Sequence, residues 1–147
     1  MWRALRLIII IAVLVGTTGV QAQGACSKSD FEEVVDDAAA ALRDLNAKHK
    51  PTFQERLRQL KDKRGWDHDT FMVEAATFVQ DDKINEYDQL SADYLDRINS
   101  LGTEGASATT PDCKLLVDVR ANMTALVTAQ KAKWDYMFDK IGRELGP

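Results

Sequence analysis

The chain has 147 residues and a formal net charge of −4. An apolar run from Leu7 to Val15 follows Arg3 and Arg6 and precedes Val20-Gln21-Ala22, so residues 1–22 read as a secretory signal peptide cleaved after Ala22. The remaining residues 23–147 suffice for one domain, contain no further apolar run long enough to span a membrane, and keep 17 of 19 basic residues against all 23 acidic ones; that mature charge of −6 argues against nucleic-acid binding.

Helical periodicity dominates the mature chain, and no convincing strand alternation occurs. The first predicted helix begins at Ser29, where Ser29 and Glu32 form a capping-box pattern, and runs to about Lys48. Phe31, Val34, Ala38, Ala41 and Leu45, joined by Val35 and Leu42, make its apolar stripe, and the alanines from 38 to 41 allow close approach of a partner helix. Pro51 is expected to break the chain. Thr52 and Glu55 then cap a second, short helix with Phe53, Leu57 and Leu60 on its buried face, closed by Gly65.

A third pattern starts at Asp67 or Asp69 and carries Phe71, Ala75, Phe78 and Val79. The following set, Ile84, Tyr87, Leu90, Tyr94, Leu95, Ile98 and Leu101, is out of phase with the first, which predicts a kink or loop near Gln80 to Lys83 with Asp81 or Asp82 as a new N-cap. Gly102 to Thr109 reads as a loop of small residues. Thr110 is expected to cap a last helix with Pro111 at its first position, running to Leu145 before Gly146. Such a helix is roughly 50 Å long. Its C-terminal half therefore offers Trp134, Met137, Phe138 and Ile141 as an apolar stripe for self-association or a protein partner.

Cys26 and Cys113 are the only cysteines, and in an exported chain they are expected to form a disulfide that sets the first and last helices parallel. Gly24-Ala25-Cys26 also has the small residues of a lipidation site, but Gln23 is wrong for one and the apolar run ends too early. The predicted fold is thus an all-α, mainly antiparallel bundle of four or five helices.

No catalytic residue or cofactor is expected, because no local metal, haem-attachment, nucleophile-elbow or phosphate-loop spacing is present. His49, between Lys48 and Lys50, reads as an exposed cap at the end of the first helix. His68 shares a helical face with Met72, a weak candidate metal pair in which Asp67 and Asp69 are ordinary capping residues. Charge is segregated: Lys48 to Arg64 carries +5, and Asp67 to Glu104 carries −8. Arg56, Arg58, Lys61 and Lys63 could meet an anionic surface, and Asp81, Asp82, Glu86, Asp93 and Asp96 a cationic partner. The simpler expectation is that the two segments neutralise each other along antiparallel helices. Asn122-Met123-Thr124 forms a glycosylation tripeptide inside a predicted helix. The functional expectation is a non-enzymatic interaction protein, periplasmic or secreted, with a carrier of haem, metal or an apolar molecule between helices as the alternative.

Overall fold

The structure is a computed structural model that describes residues 26–146. The expected signal peptide and its predicted cleavage after Ala22 lie outside these residues. Four helices form an all-α bundle: α1, Lys28–Arg64; α2, His68–Ala76; α3, Asp82–Ser107; and α4, Cys113–Leu145. Cys26 and Cys113 are joined by a disulfide, with Cα atoms 5.4 Å apart. That bond leaves no Cys26 thiol for a lipid.

α1 begins just before the predicted start, because Ser27 and Asp30 complete their own reciprocal capping box beside the disulfide. The Asp30 amide donates to Ser27 Oγ at 3.3 Å and the Ser27 amide to Asp30 Oδ2 at 2.5 Å. The Ser27 amide, followed by its hydroxyl, holds the Asp30 carboxylate below its ordinary pKa.

Pro51 does not end the first helix, contrary to the sequence expectation; α1 passes through it for 37 residues. Proline removes one amide donor and costs about 3 kcal/mol in a helix interior. Here Pro51 faces solvent, Ala47, whose carbonyl it leaves unpaired, is also exposed, and Thr52 Oγ1 donates to the Lys48 carbonyl at 3.3 Å. Against that local cost stands an unbroken stripe, Leu42, Leu45, His49, Phe53, Leu57 and Leu60, which α1 could not bury if the chain turned at Pro51.

α2 starts at His68, with Asp67 Oδ1 accepting from the Thr70 amide at 2.8 Å. A break occurs as expected but lies at residues 77–81, starting three residues before the predicted Gln80 to Lys83, and Asp81 caps α3 through the Ile84 amide at 2.8 Å. The predicted loop from Gly102 is helical as far as Ser107. Gly105 explains why: a Cβ there would meet Phe31 Cε1 at 3.1 Å, so glycine lets α3 pass close to the Phe31 ring and continue its contact with α1. At α4, Asp112 is the cap, not Thr110, and Pro111 lies just outside the helix. The Asp112 carboxylate accepts from the Lys114 amide at 2.8 Å, which makes the bridged Cys113 the first helical residue.

α4 is the common partner of α1 and α3, which scarcely touch each other. α1 runs parallel to it, tied at one end by the disulfide and at the other by Arg64 and Glu144, 2.6 Å apart. α3 runs antiparallel: Gln130 reaches Ser91 at 2.8 Å, Lys133 reaches Asp88 at 2.5 Å, and Lys140 reaches Asp81 at 2.5 Å, so higher α4 numbers meet lower α3 numbers. The core has two lobes. Val34, Ala38, Ile98, Val119, Met123 and Leu126 fill the disulfide end. Phe53, Leu57, Leu60, Phe78, Ile84, Met137 and Ile141 fill the α2 end. Between them the buried Ser91 hydroxyl donates to the Tyr87 carbonyl and accepts from Gln130, a satisfied polar layer that fixes the register of α3 on α4.

Candidate binding surfaces

The stripe expected to bind a partner through Trp134, Met137, Phe138 and Ile141 is largely internal. Met137 and Ile141 are 5% and 0% exposed, because α1, α3 and α2 together cover the C-terminal half of α4. Trp134 and Phe138 are half-buried against α1, where His49 stacks on Trp134 with ring centroids 5.6 Å apart and Phe53 stands edge-on to both. Trp134 Nε1 donates to Asn46 Oδ1 at 3.1 Å, and the Arg56 guanidinium lies 5.5 Å from the Phe138 ring centre. His49 is therefore a mid-helix packing residue, not the exposed cap expected at the end of a shorter helix. These contacts glue α1 to α4.

The charged segments do not pair along antiparallel helices. Among the described residues no ion pair joins the basic half of α1 to α3; Asp81 and Asp88 of α3 pair with Lys140 and Lys133 of α4. The four basic residues suggested for an anionic surface are occupied one by one. Arg58 pairs with Glu55 at 2.6 Å, Lys63 donates to the Leu145 carbonyl at 2.5 Å, and Lys61 and Arg56 lie over the rings of Phe71 and Phe138. They point in different directions around α1 and form no single patch.

Asp81 is the node that fixes the turn between α2 and α3. Besides capping α3 it accepts from Tyr136 Oη at 3.0 Å and from Lys140 Nζ, which also donates to the Thr77 carbonyl at 2.5 Å. Burial works to raise its pKa, but hydrogen bonds from Lys140, the Ile84 amide and Tyr136 together hold it below the ordinary carboxylate value. Through its bond to Asp81, Tyr136 is pushed above the usual phenol value.

His68 and Met72 lie exposed on α2. Among the described residues no group of three or more His, Cys, Asp or Glu side chains is arranged to hold a metal ion. Met72 and Val73 on α2 are 58% and 69% exposed, and Val79 in the following turn is also exposed. Asn122 of the glycosylation tripeptide donates to the Asp118 carbonyl within α4, and Met123 beside it is core.

A larger opening lies at the disulfide end, where α1 and α3 part. A groove of about 650 Å³ is lined by Phe31, Val35, Gly102, Gly105, Ala108 and Pro111 together with the polar Lys28, Glu32, Asp36 and Thr109. Val35 is 42% exposed. Leu95 is seven residues before Gly102, so it shares that face of α3 one heptad further along the seam, and it is 46% exposed. Gly102 differs from Gly105: a Cβ there would meet nothing within 4 Å. An interior helical glycine costs up to about 1 kcal/mol relative to alanine, and here no contact within the chain requires it.

The α1 wall of this end is acidic. Ser29 to Leu42 holds Asp30, Glu32, Glu33, Asp36 and Asp37 and no basic residue. Asp30 is used in the cap. Glu32, Glu33, Asp36 and Asp37 are exposed and, among the described residues, take part in no ion pair. Glu32–Asp36 and Glu33–Asp37 are like-charge pairs at i,i+4, each unfavourable by roughly 0.2–0.5 kcal/mol. Asp36 and Asp37 lie in the third turn, beyond the favourable reach of the helix N-terminal dipole. Sequence reasoning misses this site because a loop from Gly102 to Thr109 leaves no α3 wall for it. The 3–4 spacing of Ile98, Leu101 and Gly105, with the paired acids of the first helix, is the signal that points to it.

No protein-family model matches the chain, and neither a curated protein nor a solved structure is significantly similar to it. No helix among the described residues is long and apolar enough to cross a membrane.

Proposed function

We propose that the chain is an exported, non-enzymatic interaction protein, periplasmic or secreted, that docks a helical partner in the open seam between α1 and α3. The observation that carries this reading is the groove between α1 and α3 at the disulfide end, where Val35 stays half exposed and Gly102 presents no side chain to open space. A further helix laid there would complete the bundle, burying Val35 and Leu95 as the other helices bury their stripes. The signal-peptide pattern and the disulfide support export. The absence of local catalytic or metal-ligand spacings from the sequence supports a binding role.

A carrier of a small apolar molecule is the competing reading, since the same groove is apolar within. Native mass spectrometry of the exported protein, purified without detergent or chelator, separates the two. The interaction reading expects the mass of the disulfide-bonded polypeptide with no small-molecule adduct. A stoichiometric adduct that disappears on Gly102→Leu would overturn it in favour of the carrier.

A further inference from the structure

Resting on docking in this seam, we infer that the partner element is a basic amphipathic helix whose apolar face lies on Gly102 and whose cations meet Glu32 and Asp36. Shape supplies the first half. The floor residue Gly102 carries no side chain and has open space beside it, Phe31, packed on Gly105, and Val35 form the α1 wall, and the half-exposed Leu95 lies one heptad away on the Gly102 face of α3. A small-residue floor lets another backbone approach closely and leaves room for large side chains of the incoming helix. Lys28 to Asp36 spans about 12 Å of α1 and Leu95 adds roughly a further heptad along α3, so the seam matches about three to four turns of helix.

Charge supplies the second half. The groove lining has two carboxylates, Glu32 and Asp36, against one cation, Lys28, whereas Glu33 and Asp37 line the opening on the α4 side together with Arg120. Glu32 and Asp36, like charges one turn apart that take part in no ion pair among the described residues, make this wall more favourable beside a cation than alone, whereas an acidic or anionic-headed ligand would meet repulsion from it. The mature charge of −6 steers the same class of partner from a distance. Met72 and Val73 of α2 also have acidic neighbours, Asp69 and Glu74, but they do not line the α1–α3 groove or share its glycine floor, so they select no occupant.

The test uses the mature, disulfide-bonded chain and three probes in isothermal titration calorimetry: an amphipathic Leu/Lys peptide of about 18 residues, its Leu/Glu counterpart, and a long-chain fatty acid. The Leu/Lys peptide is expected to bind one to one. Gly102→Leu fills the floor without changing charge and should weaken it by about tenfold or more. Val35→Asn, at a site 42% exposed, should weaken it several-fold, as should Glu32→Gln with Asp36→Gln, which should also flatten the salt dependence. Circular dichroism checks that each variant keeps its helical content.

Equal affinity of wild type and both groove variants would show charge attraction alone and overturn the inference. Tighter binding of the Leu/Glu peptide, still lost in Gly102→Leu, would overturn the basic character of the partner and leave the docking reading standing. Binding of the fatty acid alone, lost in Gly102→Leu, would overturn both.

Discussion

Gly102 and Gly105 lie on one helix three residues apart, yet alanine should act on them in opposite senses. If α3 is helical through Ser107, replacing Gly102 removes an interior helical glycine, and the new Cβ meets nothing within 4 Å. The expected gain is about 1 kcal/mol from backbone entropy and helix propensity. For a domain of this size that raises the Tm by roughly 3–6 °C. At Gly105 the same propensity gain is opposed by a Cβ 3.1 Å from Phe31 Cε1, so the ring must shift a few tenths of an ångström out of the disulfide-end lobe. The gain should therefore vanish or reverse, by up to about 1 kcal/mol. Urea and thermal unfolding followed by circular dichroism at 222 nm, on the oxidised protein, measures both. A fall in stability for Gly102→Ala, or the same gain at both sites, would refute the helical placement of this segment and the groove built on it.

Pro51→Ala restores an amide donor inside a continuous helix and should stabilise the protein by about 1–3 kcal/mol in urea unfolding; no change would mean the chain turns there after all. Reducing the Cys26–Cys113 bond, which closes 87 residues of sequence, should cost on the order of 4 kcal/mol or less and lower the Tm in differential scanning calorimetry. An unchanged Tm would show that the bond restrains nothing in the unfolded chain. Asp81, whose pKa is depressed in the folded protein, stabilises fully above the ordinary carboxylate value of 3.8 and loses that contribution as pH falls through the lower folded value. The urea midpoints of wild type and Asp81→Asn should therefore differ at pH 7 and converge in acid, with wild type the more stable at pH 7. Parallel curves down to pH 2.5 would show that the Lys140 and Tyr136 contacts do not hold this turn.

The all-α class, the disulfide, the break before Asp81 and the parallel placement of α1 and α4 were legible in the sequence because each rests on a local signal: periodicity, paired cysteines, a phase change. Pro51 and the two glycines misled for one shared reason. Helix propensity counts the cost of a residue to its own turn, whereas α1 and α3 are held by long stripes against α4, whose burial outweighs one missing amide or one missing side chain. Trp134, Met137, Phe138 and Ile141 looked available because a first helix ending at Lys48 is too short to cover them. Once α1 continues to Arg64, Phe53, Leu57 and Leu60 lie over them. The groove is illegible as long as Gly102 to Thr109 is a loop, since it exists only where two helices run side by side and part.

Docking in the α1–α3 seam is tested most directly by titrating the ¹⁵N-labelled, disulfide-bonded mature protein with the Leu/Lys peptide and mapping the amide shift changes. The changes are expected to concentrate in residues 28–42 of α1 and 95–109 across the end of α3, with α2 silent. Changes centred on Met72 and Val73, or spread evenly over every acidic surface, would contradict a binding site in the seam.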